Sequence, residues 1–253
     1  MHCDLKAKTK KCKKATGGTM QSIGLVFKTF WAPAEAMFMT AKNPRVLVPL
    51  IVLTAFSLAA GLTSFAKIDL GDVVKQQIEK TRQGQSMPEE QKQNIVRLYR
   101  TLAPVIIVAG AVFPAILVTI ATVVYFGIFT MLGREGDFKA FYAVTVLAYM
   151  PLIVRQIVAT IQLFAIPTSQ LDVNDLGNLS GQLFLDPASG SKVLFALAGV
   201  FDITSLWIMV LLCIGYKAVT RKSLGTGLRV AAVVVPYAFV SFLLGLLRTL
   251  QAG

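Results

Sequence analysis

The sequence predicts an all-α polytopic membrane protein, a five-helix transmembrane bundle preceded by an N-terminal interfacial helix. Three observations predict it. First, five apolar stretches, Val46–Ala66, Thr101–Gly133, Ala140–Leu171, Val193–Tyr216 and Val230–Leu247, contain only two charged side chains, Arg155 and Asp202. A hydrocarbon core of roughly 30 Å needs about 20 apolar helical residues, and each stretch approaches or exceeds that length. Second, 55% of the 253 residues are hydrophobic and the mean hydropathy is +0.66, more apolar surface than one water-soluble core can absorb. Third, the surplus of Lys and Arg gives a formal charge of +12 and gathers beside the ends of the apolar stretches, where loops meet an anionic leaflet.

Residues 1–20 read as a disordered basic tail. Lys6, Lys8, Lys10, Lys11, Lys13 and Lys14 are accompanied by too little apolar surface to fold. The tail suits contact with anionic lipid headgroups, at about 1 kcal/mol per basic residue near the surface. The alternative is that translation begins at Met20 and the tail is not made. No apolar run precedes a small-residue cleavage site, so a secretory signal is not expected. Residues 21–44 form an amphipathic helix in the plane of the interface, too polar to span, with Trp31 at headgroup level. Pro33 fits the first turn of a new helix, and Pro44 breaks it before the first span.

Residues 45–250 form the five-span membrane domain, with crossings near 46–66, 103–132, 140–166, 193–216 and 230–248. An extramembrane helical loop, 67–101, separates the first two. In it Leu70, Val73, Val74, Gln77 and Ile78 recur at helical spacing. Ser86-Met87-Pro88-Glu89 has the spacing of a capping box and opens a second helix that runs into the second span. This loop is either a partner-binding hairpin outside the membrane or a lid on the bundle. The positive-inside rule selects a cytoplasmic N-terminus and an outside C-terminus, because Lys42, Arg45, Arg134, Lys139, Lys217, Arg221, Lys222 and Arg229 then face inward. The outside loop at 167–191 carries Asp172, Asp175 and Asp186 and no base, whereas the 67–101 loop dissents with Lys75, Lys80, Arg82, Lys92, Arg97 and Arg100, partly balanced by five acids.

Arg155 and Asp202 are the candidate site. Counting from the outer ends of their spans, both lie about 15 Å deep at 1.5 Å per residue. A lone charge near mid-bilayer costs at least about 2.5 kcal/mol, so an Arg155–Asp202 ion pair facing the bundle interior is expected. It serves either as a polar station on a transport path, with Gln156, Thr160, Gln162, Thr204 and Ser205 nearby, or as a register pin between helices.

Other chemistry is excluded by inventory. His2 is the sole histidine, which removes His-based acid/base catalysis and multi-histidine metal sites. Cys3, Cys12 and Cys213 form no C-x-x-C and support neither a disulfide framework nor zinc. No G-x-S-x-G or H-E-x-x-H occurs, and Asp202 is the sole acid within an apolar stretch. The expectation is therefore no enzyme, no catalytic residue, no metal and no cofactor. The partners expected are membrane lipids with anionic headgroups and a protein or a second copy, a homo-oligomer; the basic charge belongs to the membrane surface, and nucleic acid is not expected.

Phe30, Pro33, Glu35 and Phe38 read F-x-x-P-x-E-x-x-F, followed by Pro44, Pro49 and Leu50 entering the first apolar stretch. This resembles the start of the Yip1-domain family. Phe138, Phe141 and Tyr149-Met150-Pro151, then Phe201-Asp202-Ile203-Thr204-Ser205-Leu206-Trp207, are similar to its third and fourth membrane segments, over about Phe30 to Leu247. The resemblance implies five spans and no known catalysis. Eukaryotic members bind small Rab GTPases through regions marked by D-L-Y-G-P, a motif not found here, so a trafficking role is not carried over. The long polar loop looks like the prokaryotic branch, which implies a bacterial cytoplasmic membrane. The resulting expectation is a non-enzymatic integral membrane protein that organises membrane or binds partners, with a small transporter or ion-conducting protein built on Arg155 and Asp202 as the alternative.

Overall fold

The computed structural model describes residues 20–80, 86–133, 136–166, 176–180, 194, 198, 202–220 and 225–251, and side chains throughout these except 70, 72, 76, 77, 80 and 244–251. The basic tail, with Lys6 to Lys14, lies outside the described residues. Among them the structure is helical, with one isolated antiparallel bridge between Ser180 and Asp202.

Helix α1 covers residues 20–31 and α2 covers Pro33–Lys42. They meet at Ala32, whose non-helical backbone, φ −136° and ψ 59°, breaks the helix so that Pro33 occupies the first turn, where its missing N–H costs no bond. Lys28 and Glu35 form an ion pair across the joint. α2 buries Ala36, Met37 and Thr40 while Phe38 stays exposed, because it packs against the bundle helices Phe138–Ala148 and Ile203–Val219.

α3 (Leu47–Lys67) is 21 residues long and apolar throughout. A short turn leads to α4 (Leu70–Lys80), amphipathic as its spacing predicts. α5 then runs unbroken for 43 residues, Glu89–Met131, from a charged first third into an apolar remainder, and keeps Pro104 and Pro114 inside. Its start differs from the expected capping box. Pro88, not Ser86, is the N-cap and makes no side-chain capping bond. With Pro88 held at φ −59° and ψ 145°, Glu89 becomes the first helical residue instead of the third, which removes the box geometry.

α6 (Phe138–Ala148) and α7 (Pro151–Ala165) form one apolar unit of 28 residues, bent at Tyr149-Met150. There Met150 N–H bonds the Leu147 carbonyl at 3.2 Å, a tighter turn forced by the Pro151 that follows. α8 is Ile203–Val219 and α9 is Thr226–Gln251, with Pro236 inside. Four helices among the described residues are long and apolar enough to cross a membrane: α3, α5, the α6–α7 unit and α9 up to Leu243. α8 is apolar but has 17 residues, about 26 Å of helix.

α6 is the centre of the bundle, with Ala143, Val144, Val146, Leu147 and Ala148 fully buried. The Tyr216 ring of α8 lies 5.1 Å from those of Phe129 and Phe141, and its hydroxyl is 2.9 Å from Thr145 Oγ1. Gly215 permits this approach, since a Cβ there would stand 2.2 Å from Val144 Cγ1. Outward, Leu47, Ile51, Val105, Val123, Val235 and Phe239 are exposed, a belt suited to lipid and not to water.

Candidate functional site

Asp202 opens α8 as its N-cap. Its extended backbone, φ −89° and ψ 131°, lets Oδ2 accept from Ser205 N–H at 3.0 Å and from Ser205 Oγ at 3.0 Å. This satisfies one of the free N–H groups of the first turn. Tyr237 of α9 donates its hydroxyl to Ser205 Oγ at 2.9 Å. A hydrogen-bonded chain therefore runs from Tyr237 through Ser205 to the Asp202 carboxylate. Asp202 is 6% exposed, and its Oδ1 is buried without a hydrogen-bond partner among the described residues.

Arg155 sits on α7, half-buried. Both Arg155 and Asp202 lie near enough to the Tyr237 phenol for their charges to act on it. The salt bridges of the described residues do not include one between Arg155 and Asp202. Two differences from the sequence expectation explain this. Asp202 stands at a helix start instead of ten residues inside a helix, and its Oδ2 is engaged by the helix end. Residues 176–180 also occupy the place beside both groups. Gly177 N–H donates to Gln162 Oε1 at 2.7 Å, and a Cβ on Gly177, held at φ +66°, would lie 2.9 Å from the Arg155 carbonyl oxygen. Two residues on, Leu179 accepts from Ile203 N–H at 3.4 Å and Ser180 bridges to Asp202.

The segment thus reaches back along α7 to Arg155, ten residues from the end of the helix, or about 15 Å. Non-helical backbone at such depth is tolerated where protein covers it and pairs its polar groups, as Gln162 and Ile203 do here. From a different face of α7, Gln156 Nε2 donates to Ser57 Oγ of α3 at 2.7 Å, and Ser57 donates to the Leu53 carbonyl. Thr160 bonds the Gln156 carbonyl of its own helix, and Thr204 is buried. Sequence reasoning missed Tyr237, Ser57 and Gly177; Asp202 with Ser205 three residues later was a legible cap signal.

The second polar region is the hairpin of α4 and the first turns of α5. Arg100 donates from Nε to Asp69 Oδ1 at 3.2 Å and from Nη2 to Asp69 Oδ2 at 2.8 Å. Asp69 also accepts from Gly71 N–H at 2.7 Å, an Asx turn that starts α4. A Cβ on Gly71 would stand 2.5 Å from Arg100 Nε, so glycine lets the guanidinium lie flat on the backbone. Lys92 donates to Glu89 at 2.8 Å. That bond, with the Lys92 charge, holds the Glu89 carboxyl below its ordinary range, and Lys75 adds to it. Trp31, at the end of α1, is 70% exposed.

The family model of the Yip1 domain matches residues 27–247, most of the chain. No curated protein and no solved structure matches it. The apolar belt, the multi-pass helical architecture and that match agree, and the chain belongs to the Yip1-domain family of membrane proteins.

Proposed function

We propose that this protein is a non-enzymatic membrane-organising or partner-binding protein whose working surface is the α4–α5 hairpin. The observation that carries this reading is the Asp69–Arg100 closure, which ties a charged helical pair together beyond the end of α3. Most hydroxyls on the apolar helices bond carbonyls four residues back in their own helix, as Thr63, Thr101, Thr122 and Thr130 do, so they mark no polar path. On this reading the chain crosses a bacterial cytoplasmic membrane five times with its N-terminus inside, α8 counting as the fourth crossing. α1 and α2 then lie at the interface, with Trp31 at the headgroups and the Lys6–Lys14 tail on anionic lipid. Protein partners include a second copy.

A second reading, a small transporter or ion-conducting protein, is favoured by one feature: the buried Asp202 Oδ1, without a hydrogen-bond partner among the described residues, at the start of α8 and near Arg155. Helix ends exposed at breaks bind ions in transporters. Native mass spectrometry from mild detergent separates the two. Opening the hairpin with Asp69→Asn and Arg100→Gln is expected to strip co-purifying lipid and protein, while Arg155→Met with Asp202→Asn leaves them in place. Unchanged co-purification in the open-hairpin variant, with ion flux lost in the second, overturns the first reading.

A further inference from the structure

We infer that the groove between α4 and α5 binds the headgroup of an anionic glycerophospholipid, with its phosphate at Arg100; this rests on the hairpin being the working surface. The groove encloses about 370 Å³ and is lined by Lys75, Lys92, Arg97 and Arg100, with Glu89 the one acid among its described lining residues. It adjoins a second hollow of about 450 Å³, lined by Phe65, Lys67, Asp69 and Arg100. Arg100 belongs to both.

Position makes the pair of hollows fit a lipid. Phe65 and Lys67 end α3, and Thr101 opens the long apolar run of α5, so Arg100 sits where hydrocarbon gives way to headgroups. The Lys67 ammonium lies 4.6 Å from the Phe164 ring centre at the end of α7, which brings a third helix end to the same level. An acyl chain and glycerol beside Phe65 would send a headgroup outward along Arg97 and Lys92. Lys92, Val96 and Arg100 recur at four-residue spacing on one helix face, and eight residues of helix extend about 12 Å.

Chemistry selects a phosphate. Asp69 uses two N–H groups of Arg100, and a guanidinium has five in a fork that matches phosphate oxygens. The Asp69 closure and the flat seat on Gly71 fix that fork before any ligand arrives, which lowers the ordering cost of binding. Lys75 and Arg97 add charge without taking part in the closure, so they can be removed with the hairpin intact.

The test uses the full chain in nanodiscs of phosphatidylcholine alone or mixed with phosphatidylglycerol, with bound lipid read by native mass spectrometry. The expected result is preferential retention of phosphatidylglycerol, lowered about 30-fold by Lys75→Gln with Arg97→Gln, roughly fivefold per basic side chain. Arg97→Lys restores most of it. Equal retention of both lipids, no change in the double variant, or full displacement by free glycerol phosphate overturns the inference, the last by making this a site for soluble phosphate. Binding of an acidic protein here with unchanged lipid retention overturns it too. Such failures leave the hairpin reading standing, because that reading falls only if opening Asp69–Arg100 is without effect.

Discussion

Asp69 and Arg100, separated by 31 residues, close the α4–α5 hairpin through two hydrogen bonds, 3.2 Å and 2.8 Å long. Both side chains are about half exposed, at 47% and 56%, so the pair contributes little to global stability, below about 1 kcal/mol. Its role is local order. Arg100→Gln is expected to raise hydrogen exchange across residues 70–80 while the unfolding midpoint in detergent barely moves, and added salt should mimic it in part.

Gly215 marks a close approach in the bundle. With a Cβ 2.2 Å from Val144 Cγ1 and 3.3 Å from Met37 Sδ, Gly215→Ala forces α8 away from α6 and α2. A loss of about 1–3 kcal/mol is expected, read as a lower thermal midpoint of the purified protein. Val144→Ala in the same chain should recover part of it by opening space.

Asp202 is a cap first. Asn caps helix starts as well as Asp, so Asp202→Asn should leave yield and thermal midpoint near wild type, whereas Asp202→Ala should cost about 1 kcal/mol. Were the carboxylate instead the indispensable counter-charge of Arg155, Asn would be as harmful as Ala and a second change at Arg155 would rescue both. Expression in the four backgrounds decides.

Glu89 titrates below the ordinary glutamate range because Lys92 bonds and attracts its charged form. A carboxyl whose folded value is depressed contributes stability that is complete above its unfolded value and is lost as pH falls through the folded one. Lys92→Gln should therefore raise the Glu89 titration midpoint, followed by NMR in labelled protein.

Much of this architecture was legible because side-chain hydropathy reports lipid-facing helices directly. Pro33 at a helix start, the bend before Pro151 and the passage of α5 from a charged third into an apolar span all follow from local rules. The start of α8 did not follow. Val193 to Tyr216 reads as one apolar run, and hydropathy is blind to a backbone break at Asp202. The site was half visible for the same reason. Arg155 and Asp202 stood out as charges in apolar sequence, but Tyr237 and Gly177 reach them by packing across 32 residues in one case and by a left-handed turn in the other. The Asp69–Arg100 closure is likewise a tertiary event with no sequence period.

The most direct measurement of the central claim is hydrogen–deuterium exchange of the full chain in nanodiscs, with and without anionic lipid. Anionic lipid is expected to slow exchange in residues 70–80 and 89–100 and to leave 151–165 and 203–219 unchanged. Protection confined to the helices that carry Arg155 and Asp202, with the hairpin indifferent to lipid charge, would contradict it.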